Sequence, residues 1–421
     1  MPVDSEVPLR SEPFRLGINY WPARTAMGWW NDFDHAEVDT DFARIATAGF
    51  DSVRLFLNWE DFQPAPKRVN TAMLDRLITV ADLAGRAGLA AVPTLFTGHM
   101  SGVNWIPAWA LGGSDGDDRF RVMSGGSINK TGLRNWYTDP EVCAAQVLLA
   151  GEAATALAGH DAVWAWDLGN ENSNCVIPPS RTAARAWLDR ITAAIRTADP
   201  AVLVTIGLHM EDLEEDRRLG PGEAAEVCDF LTMHGYPIYA RWAHGPTDVH
   251  VLPFLAHLTR WLGNGRDVLF SEFGLPTFRR ADPVGEQADR ESGPVLVEEQ
   301  AAAAYTKRAL SALREAGCTG AMLWCYTDYL PAIWDEPPLD EATHERSFGL
   351  WRSDGSPKPA VSVVTAHCGF ATSPPPADRP WIDIEPGEFY TPDGSHLARL
   401  YQRYCAELPT EGSVGRGDRR P

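Results

Sequence analysis

Short apolar runs rich in Val, Ile, Leu, Phe and Trp alternate along this chain with stretches whose apolar residues recur at helical spacing. That alternation is the pattern of strand–helix units around a parallel sheet. Eight runs predict strands, at Phe14–Tyr20, Ser52–Trp59, Ala90–Thr97, Val163–Glu171, Val202–His209, Phe230–Tyr236, Val268–Phe273 and Ala321–Thr327. Helical spacing predicts helices at Glu37–Ala48, Thr71–Ala87, Pro140–Ala158, Arg181–Ala198, a short Ala224–Cys228, Val249–Leu262, Leu296–Ala316 and Lys358–His367. Eight such units predict an α/β fold, a (β/α)8 TIM barrel over residues 14–367. Three long loops, Gly98–Asp139, Phe278–Val295 and Asp328–Pro357, leave the C-terminal ends of strands three, seven and eight, where such barrels build their sites. Beyond His367, Pro374-Pro375-Pro376 reads as a linker, residues 368–407 as a small C-terminal extension with one helix, His396–Glu407, and 408–421 as a mobile tail.

Composition narrows the class. With 421 residues, 44% hydrophobic and 22% charged, the chain can bury a large core and is neither a disordered protein nor a small disulfide scaffold. The net charge of −20, with no Lys/Arg run longer than two as at Arg279-Arg280, argues against nucleic acid, whose phosphates need a basic surface. A neutral ligand suits this charge, and 16 Trp residues offer flat apolar faces. Seven cysteines without a CxxC pair read as buried thiols and predict neither a disulfide framework nor a zinc site. Met1–Glu12 is polar and no stretch reaches the apolar length of a membrane span, so the expectation is a cytoplasmic protein with no membrane partner. The pattern sets no oligomeric state.

Candidate chemistry clusters at the strand ends. Alternation in Val163–Glu171 puts Trp164, Trp166 and Leu168 on one face and Ala165, Asp167, Gly169 and Glu171 on the other. Glu171 therefore closes the inward face at the barrel mouth, with Asn170 beside it. A lone Glu after a strand is more often a solvated loop acid. Glu272, however, lies inside the apolar run Val268–Gly274, where an unpaired acid would be costly. Two carboxylates facing each other from strands four and seven are what cleavage of a glycosidic bond requires. His234 and Tyr236 share one face of strand six, and Arg54, inside strand two, demands an anionic partner. Trp324 near the end of strand eight can stack on a sugar ring, and His99 follows strand three. Each of these has a bland reading as a core or solvated residue; their convergence favours a site.

Asn170-Glu171, His234-x-Tyr236, Glu272, Arg54, His99 and Trp324, in strand order over roughly Phe14–His367, look like the active-site set of family 5 glycoside hydrolases in clan A. The resemblance implies a retaining β-glycosidase acting on an oligosaccharide, with no metal and no cofactor. It implies Glu171 as acid/base and Glu272 as nucleophile, with Arg54 and Tyr236 holding Glu272 ionised. It further implies Asn170 on the sugar 2-hydroxyl, His234 beside the acid/base, and His99 and Trp324 lining the −1 subsite. The aromatic opening Gly17–Pro22 with Trp29-Trp30, and the long third and eighth loops, are more similar to the bacterial β-mannosidase branch than to an open-cleft cellulase. The expectation is an exo-β-mannosidase on short manno-oligosaccharides or Man-β1,4-GlcNAc, with Trp105, Trp109, Trp136, Trp334 and Trp351 walling off the mouth. The alternatives are an endo-acting β-mannanase or β-glucanase, a sugar-binding barrel without catalysis, and a metal-dependent hydrolase. The last would need a carboxylate between His209 and His234, and no carboxylate is expected there.

Overall fold

Every predicted apolar run supplies a strand to one parallel sheet in the computed structural model, which describes residues 13–113, 119–280 and 295–408. The strands are β1 (Arg15–Asn19), β2 (Ser52–Asn58), β3 (Ala90–Thr97), β4 (Ala165–Asn170), β5 (Leu203–Gly207), β6 (Leu231–His234), β7 (Val268–Phe273) and β8 (Gly320–Leu323). Their order, β6-β7-β8-β1-β2-β3-β4-β5, is that of a ring opened at one seam. Polar groups close the seam. His209 and His234 form a parallel bridge, the His234 N–H donates to Leu208 O at 2.8 Å, and the Thr205 and Thr232 hydroxyls donate to Phe230 O and Ile206 O. Val92, Ala165, Phe230, Leu269 and Met322 plug part of the interior, so the barrel is packed rather than hollow.

The main outer helices are α1 (His35–Thr47), α2 (Thr71–Arg86), α3 (Pro140–Ala156), α4 (Arg181–Ala198), α5 (Pro221–Ala225), α6 (Val251–Leu262), α7 (Glu299–Glu315) and α8 (Pro359–Thr365). Asp34, Asn70, Asp139 and Ser180 accept hydrogen bonds from first-turn amides and so fix the starts of α1 to α4. α5 begins three residues before the expected helix and ends at Ala225, because Pro221 suits a first helical position and Glu223 reaches back to the Gly220 N–H. No helix among the described residues is long and apolar enough to cross a membrane.

Strands predicted to reach Glu171, His209, Tyr236 and Thr327 stop one to four residues earlier. At the mouth the backbone leaves the ladder to aim side chains inward; after β8, for example, the Tyr326 N–H turns to Asn19 O. The long loop after β3 carries a small four-stranded sheet built from His99–Met100, Val103–Trp105, Arg121–Ser124 and Ser127–Asn129. Its first hairpin turns at Ser101-Gly102, both at positive φ. Most of the loop expected after strand seven lies outside the described residues, as does the expected tail from 409 onward. The C-terminal helix, α9 (Leu397–Glu407), packs Tyr401 and Tyr404 against Phe254 of α6, and the Tyr401 hydroxyl donates to Asp248 at 2.6 Å. None of the seven cysteines is in a disulfide; four are buried and three half-buried.

Candidate active site

Arg54 is the hub of the barrel floor, 1% exposed and hydrogen-bonded through all three guanidinium nitrogens. Its Nε and Nη2 donate to Asp167 Oδ2 at 2.8 and 2.6 Å, Nη1 to Glu272 Oε1 at 2.5 Å and to Asn19 at 3.1 Å, and Nη2 also to Asn170 at 2.8 Å. The anionic partner demanded by the sequence is thus two carboxylates. Asp167 shares the inward phase of β4, which was the signal available for it. Glu272 receives a second donor at its other oxygen, the Tyr236 hydroxyl at 2.8 Å.

Asn170 and Glu171 are consecutive, yet both face the site, which strict alternation forbids. The register of β4 against β5 shifts between Asp167 and Asn170, bringing Asn170 to the same side as Asp167. Glu171 then turns with φ 47° and ψ 45°, a left-handed conformation that brings its carboxylate back over the barrel. There it accepts from Asn174 Nδ2 at 3.1 Å and lies 2.8 Å from His234 Nδ1. His209 Nδ1 and His99 Nε2 stand 3.8 and 3.9 Å away. A carboxylate does therefore sit between His209 and His234, contrary to expectation, because the turn after β4 carries Glu171 across the seam. Behind His209, Ser173 Oγ lies 2.8 Å from Nε2 and donates to Asp212 at 2.6 Å.

Glu171, His234 and Glu272 each present an atom within 4.8 Å of the others. That spacing matches two carboxylates acting on one anomeric carbon, about 5 to 5.5 Å apart, rather than the roughly 6.5 to 9.5 Å that leaves room for a water. The same trio could nominally hold a cation. The Arg54 guanidinium on Glu272 already supplies positive charge there and opposes a second cation.

A cavity of about 290 Å³ opens above these groups, lined by His99, Phe120, Asn170, Glu171, His234, Tyr236, Glu272 and Trp324, among others. All eight residues singled out in the sequence therefore meet at one mouth, Arg54 as its floor. Trp324 donates from Nε1 to Glu345 at 3.2 Å. Glu345 also accepts from Ser101 at 3.0 Å, which ties the β8 loop to the β3 loop. Arg121 forms a two-pronged pair with Asp340 at 2.8 and 2.7 Å between the same loops.

None of the five loop tryptophans lines this cavity among the described residues. Trp109 and Trp136 pack on Trp59, Trp351 on Phe50 and Tyr326, and Trp334 lies under the Arg346 guanidinium. Trp105 packs against the main core. Their apolar area is consumed as loop core, and the wall is made by polar contacts. Sequence reading also missed Asn174, Tyr239 and Glu345; they sit in loop segments, Asn174 and Glu345 on short 3-10 turns, too short for a period to mark a direction.

Burial is the largest influence on both central carboxyls and opposes their charged forms. At Glu171, His209, His234 and His99 outweigh it and hold its pKa below the ordinary range. At Glu272 burial prevails over His234 and Arg54, and the Glu171 charge adds to the upward push. Hydrogen-bond chemistry points the other way. Arg54 can only donate, and the Tyr236 hydroxyl spends its proton on Glu272, so both bonds favour a charged Glu272. Of the imidazoles around Glu171, burial drives His99 toward its neutral form, which weakens that imidazole's pull. A charged Glu272 with an atom within 4.8 Å of Glu171 in turn opposes negative charge there and favours a proton on Glu171.

Comparison with known proteins places this geometry. The family model described as cellulase (glycosyl hydrolase family 5) matches residues 16–329. A mannan endo-1,4-β-mannosidase A of Hypocrea jecorina is 23% identical over 275 residues, covering 58% of this chain and 58% of the relative's length. Among solved structures, an exo-β-1,4-mannosidase, Op5Man5, from Opitutaceae bacterium strain TAV5 aligns with TM-score 0.67 and 28% identity over 84% of this chain and 59% of the other. A variant of GH5_18 from Streptomyces cattleya in complex with Manβ1-4GlcNAc aligns with TM-score 0.69 and 24% identity, over 88% of this chain and 83% of the other.

Proposed function

The chain belongs to glycoside hydrolase family 5, and from that premise we propose that it is a retaining exo-β-mannosidase acting on short manno-oligosaccharides or Man-β1,4-GlcNAc. The observation that carries the reading is the close pair of Glu171 and Glu272 at the base of a cavity whose β3 and β8 walls are joined. In the first step Glu171 gives its proton to the glycosidic oxygen while Glu272 attacks the anomeric carbon, forming a glycosyl-enzyme and releasing the aglycone. In the second, Glu171 as base takes a proton from water, which attacks the same carbon and frees Glu272. Arg54 and Tyr236 keep Glu272 charged before attack, and Asn170, held by Arg54 and by the His99 carbonyl, meets the sugar 2-hydroxyl. His234 bridges the two carboxylates, while His99 and Trp324 flank the ring of the bound sugar.

The mannose preference draws support from the similarity to Op5Man5 and to the protein solved with Manβ1-4GlcNAc. Exo action draws support from the Ser101–Glu345 and Arg121–Asp340 contacts, which join the β3 and β8 loops beside the mouth. Nitrophenyl β-glycosides tested beside intact manno-oligosaccharides and Man-β1,4-GlcNAc, with product sizes resolved, decide both points. The expected outcome is hydrolysis of the β-mannoside and release of mannose one unit at a time. Turnover of glucosides alone would overturn the sugar assignment.

A further inference from the structure

Glu345 is a carboxylate in the wall of the sugar cavity that the two-step reaction does not use. It is 7% exposed, and among the described residues its one ion-pair partner is His344, 3.5 Å from Oε1. Burying a carboxylate without an Arg or Lys is expensive unless neutral donors surround it. Its oxygens are served unequally. Oε2 accepts from Trp324 Nε1 at 3.2 Å and from Ser101 Oγ at 3.0 Å, and so is filled. Oε1 has the Tyr239 hydroxyl at 3.3 Å, but that hydroxyl lies closer, at 2.7 Å, to His344 Nε2. One phenolic proton cannot satisfy two acceptors, so Oε1 is left open whenever the imidazole takes it.

We propose that Glu345 is a specificity-determining residue, its Oε1 accepting hydroxyl protons of the non-reducing terminal sugar. The reading rests on the glycosidase function above and deepens it. Trp324 is the link between the two. The same side chain whose face lines the sugar cavity is fixed by Glu345 through its indole N–H, so the carboxylate stands beside the ring that Trp324 contacts. Polyols are the ligand class that suits it, because adjacent hydroxyls can supply the donors that Oε1 lacks. A chain extended at the recognised hydroxyl would carry no proton there, so this contact selects terminal sugars chemically as well as by shape.

The test combines Glu345→Gln with singly deoxygenated substrates. In the variant the amide oxygen can keep the Trp324 and Ser101 bonds, while an NH2 replaces the open acceptor. The parent is the nitrophenyl β-mannoside, or the β-glucoside if that is what the wild type cleaves, with analogues lacking the hydroxyl at C3, C4 or C6. For the wild type, kcat/KM should fall roughly 10- to 100-fold on losing the recognised hydroxyl. Glu345→Gln should show a similar fall on the parent and no further fall on that one analogue, with unchanged melting temperature. Additive losses in variant and analogue, or a parent activity equal to wild type, would overturn the proposal. Failure of the mannosidase reading would appear separately, in which parent sugar the wild type accepts. If Glu345→Gln melts lower, Ser101→Ala, which keeps the carboxylate, controls for the wall: it should leave the full deoxygenation penalty in place.

Discussion

Arg54 does two jobs with one guanidinium, neutralising buried Asp167 and orienting Glu272, so the floor and Glu272 are one hydrogen-bonded unit. The roles proposed for the two glutamates separate by mutation. Glu272→Ala removes the attacking group and should lower kcat about 10⁴-fold or more on every substrate. Glu171→Ala removes only proton transfer, so glycosylation by an aryl glycoside with a good leaving group should be largely spared. Added azide should then give a β-glycosyl azide from Glu171→Ala and an α-glycosyl azide from Glu272→Ala. Interchanged product configurations, read by NMR, would reverse the assignment.

Where α1 packs on the barrel, Asp41 is buried beneath Tyr20 of the β1 end and Tyr326 of the β8 end, accepting from their hydroxyls at 3.0 and 2.6 Å. Burial pushes its carboxyl up to about 6 from the ordinary 3.8, against the pull of both tyrosines and Arg44. The native state thus holds this proton to higher pH than the unfolded chain. The contribution is fully present below about pH 4 and is lost as pH rises through 6. Asp61 and Asp328, also pushed up to about 6 by burial, act with the same sign. Denaturant unfolding of Asp41→Asn across pH 4 to 6 should show the fall of stability with pH reduced by up to about 1.4 kcal/mol per unit. An unchanged slope would mean that Asp41 does not titrate in that window.

At the scale of the whole molecule, the proposed exo action turns on the joined β3 and β8 loops, which would decide which bonds of a polymer reach the carboxylates. Incubation with soluble mannan should release monosaccharide without an early fall in viscosity. Rapid thinning, or early di- and trisaccharides, would favour the endo-acting alternative. Arg121→Ala, which breaks the pairing with Asp340 at the loop junction, should move the products toward internal cleavage while leaving nitrophenyl glycoside turnover within about twofold of wild type. Retention of purely terminal cleavage would locate the barrier in the Ser101–Glu345 contact instead.

Periodicity alone was enough for the eight strands, for most of the helices between them, and for the inward placing of Arg54, Asp167 and Glu272. A side chain's direction along a strand or helix is fixed by its spacing, and the barrel converts inward phase at strand ends into proximity. What spacing could not carry depends on contacts between segments far apart in the chain. The shift in β4 that turns Asn170 inward answers to β5 and to Arg54. The carriage of Glu171 between His209 and His234 depends on how β5 and β6 meet across the seam. The polar rather than aromatic closure of the mouth, by Glu345 and Arg121, joins loops with no period to read. Only tertiary structure settles these, because each hydrogen bond there is chosen among partners that local sequence does not bring together.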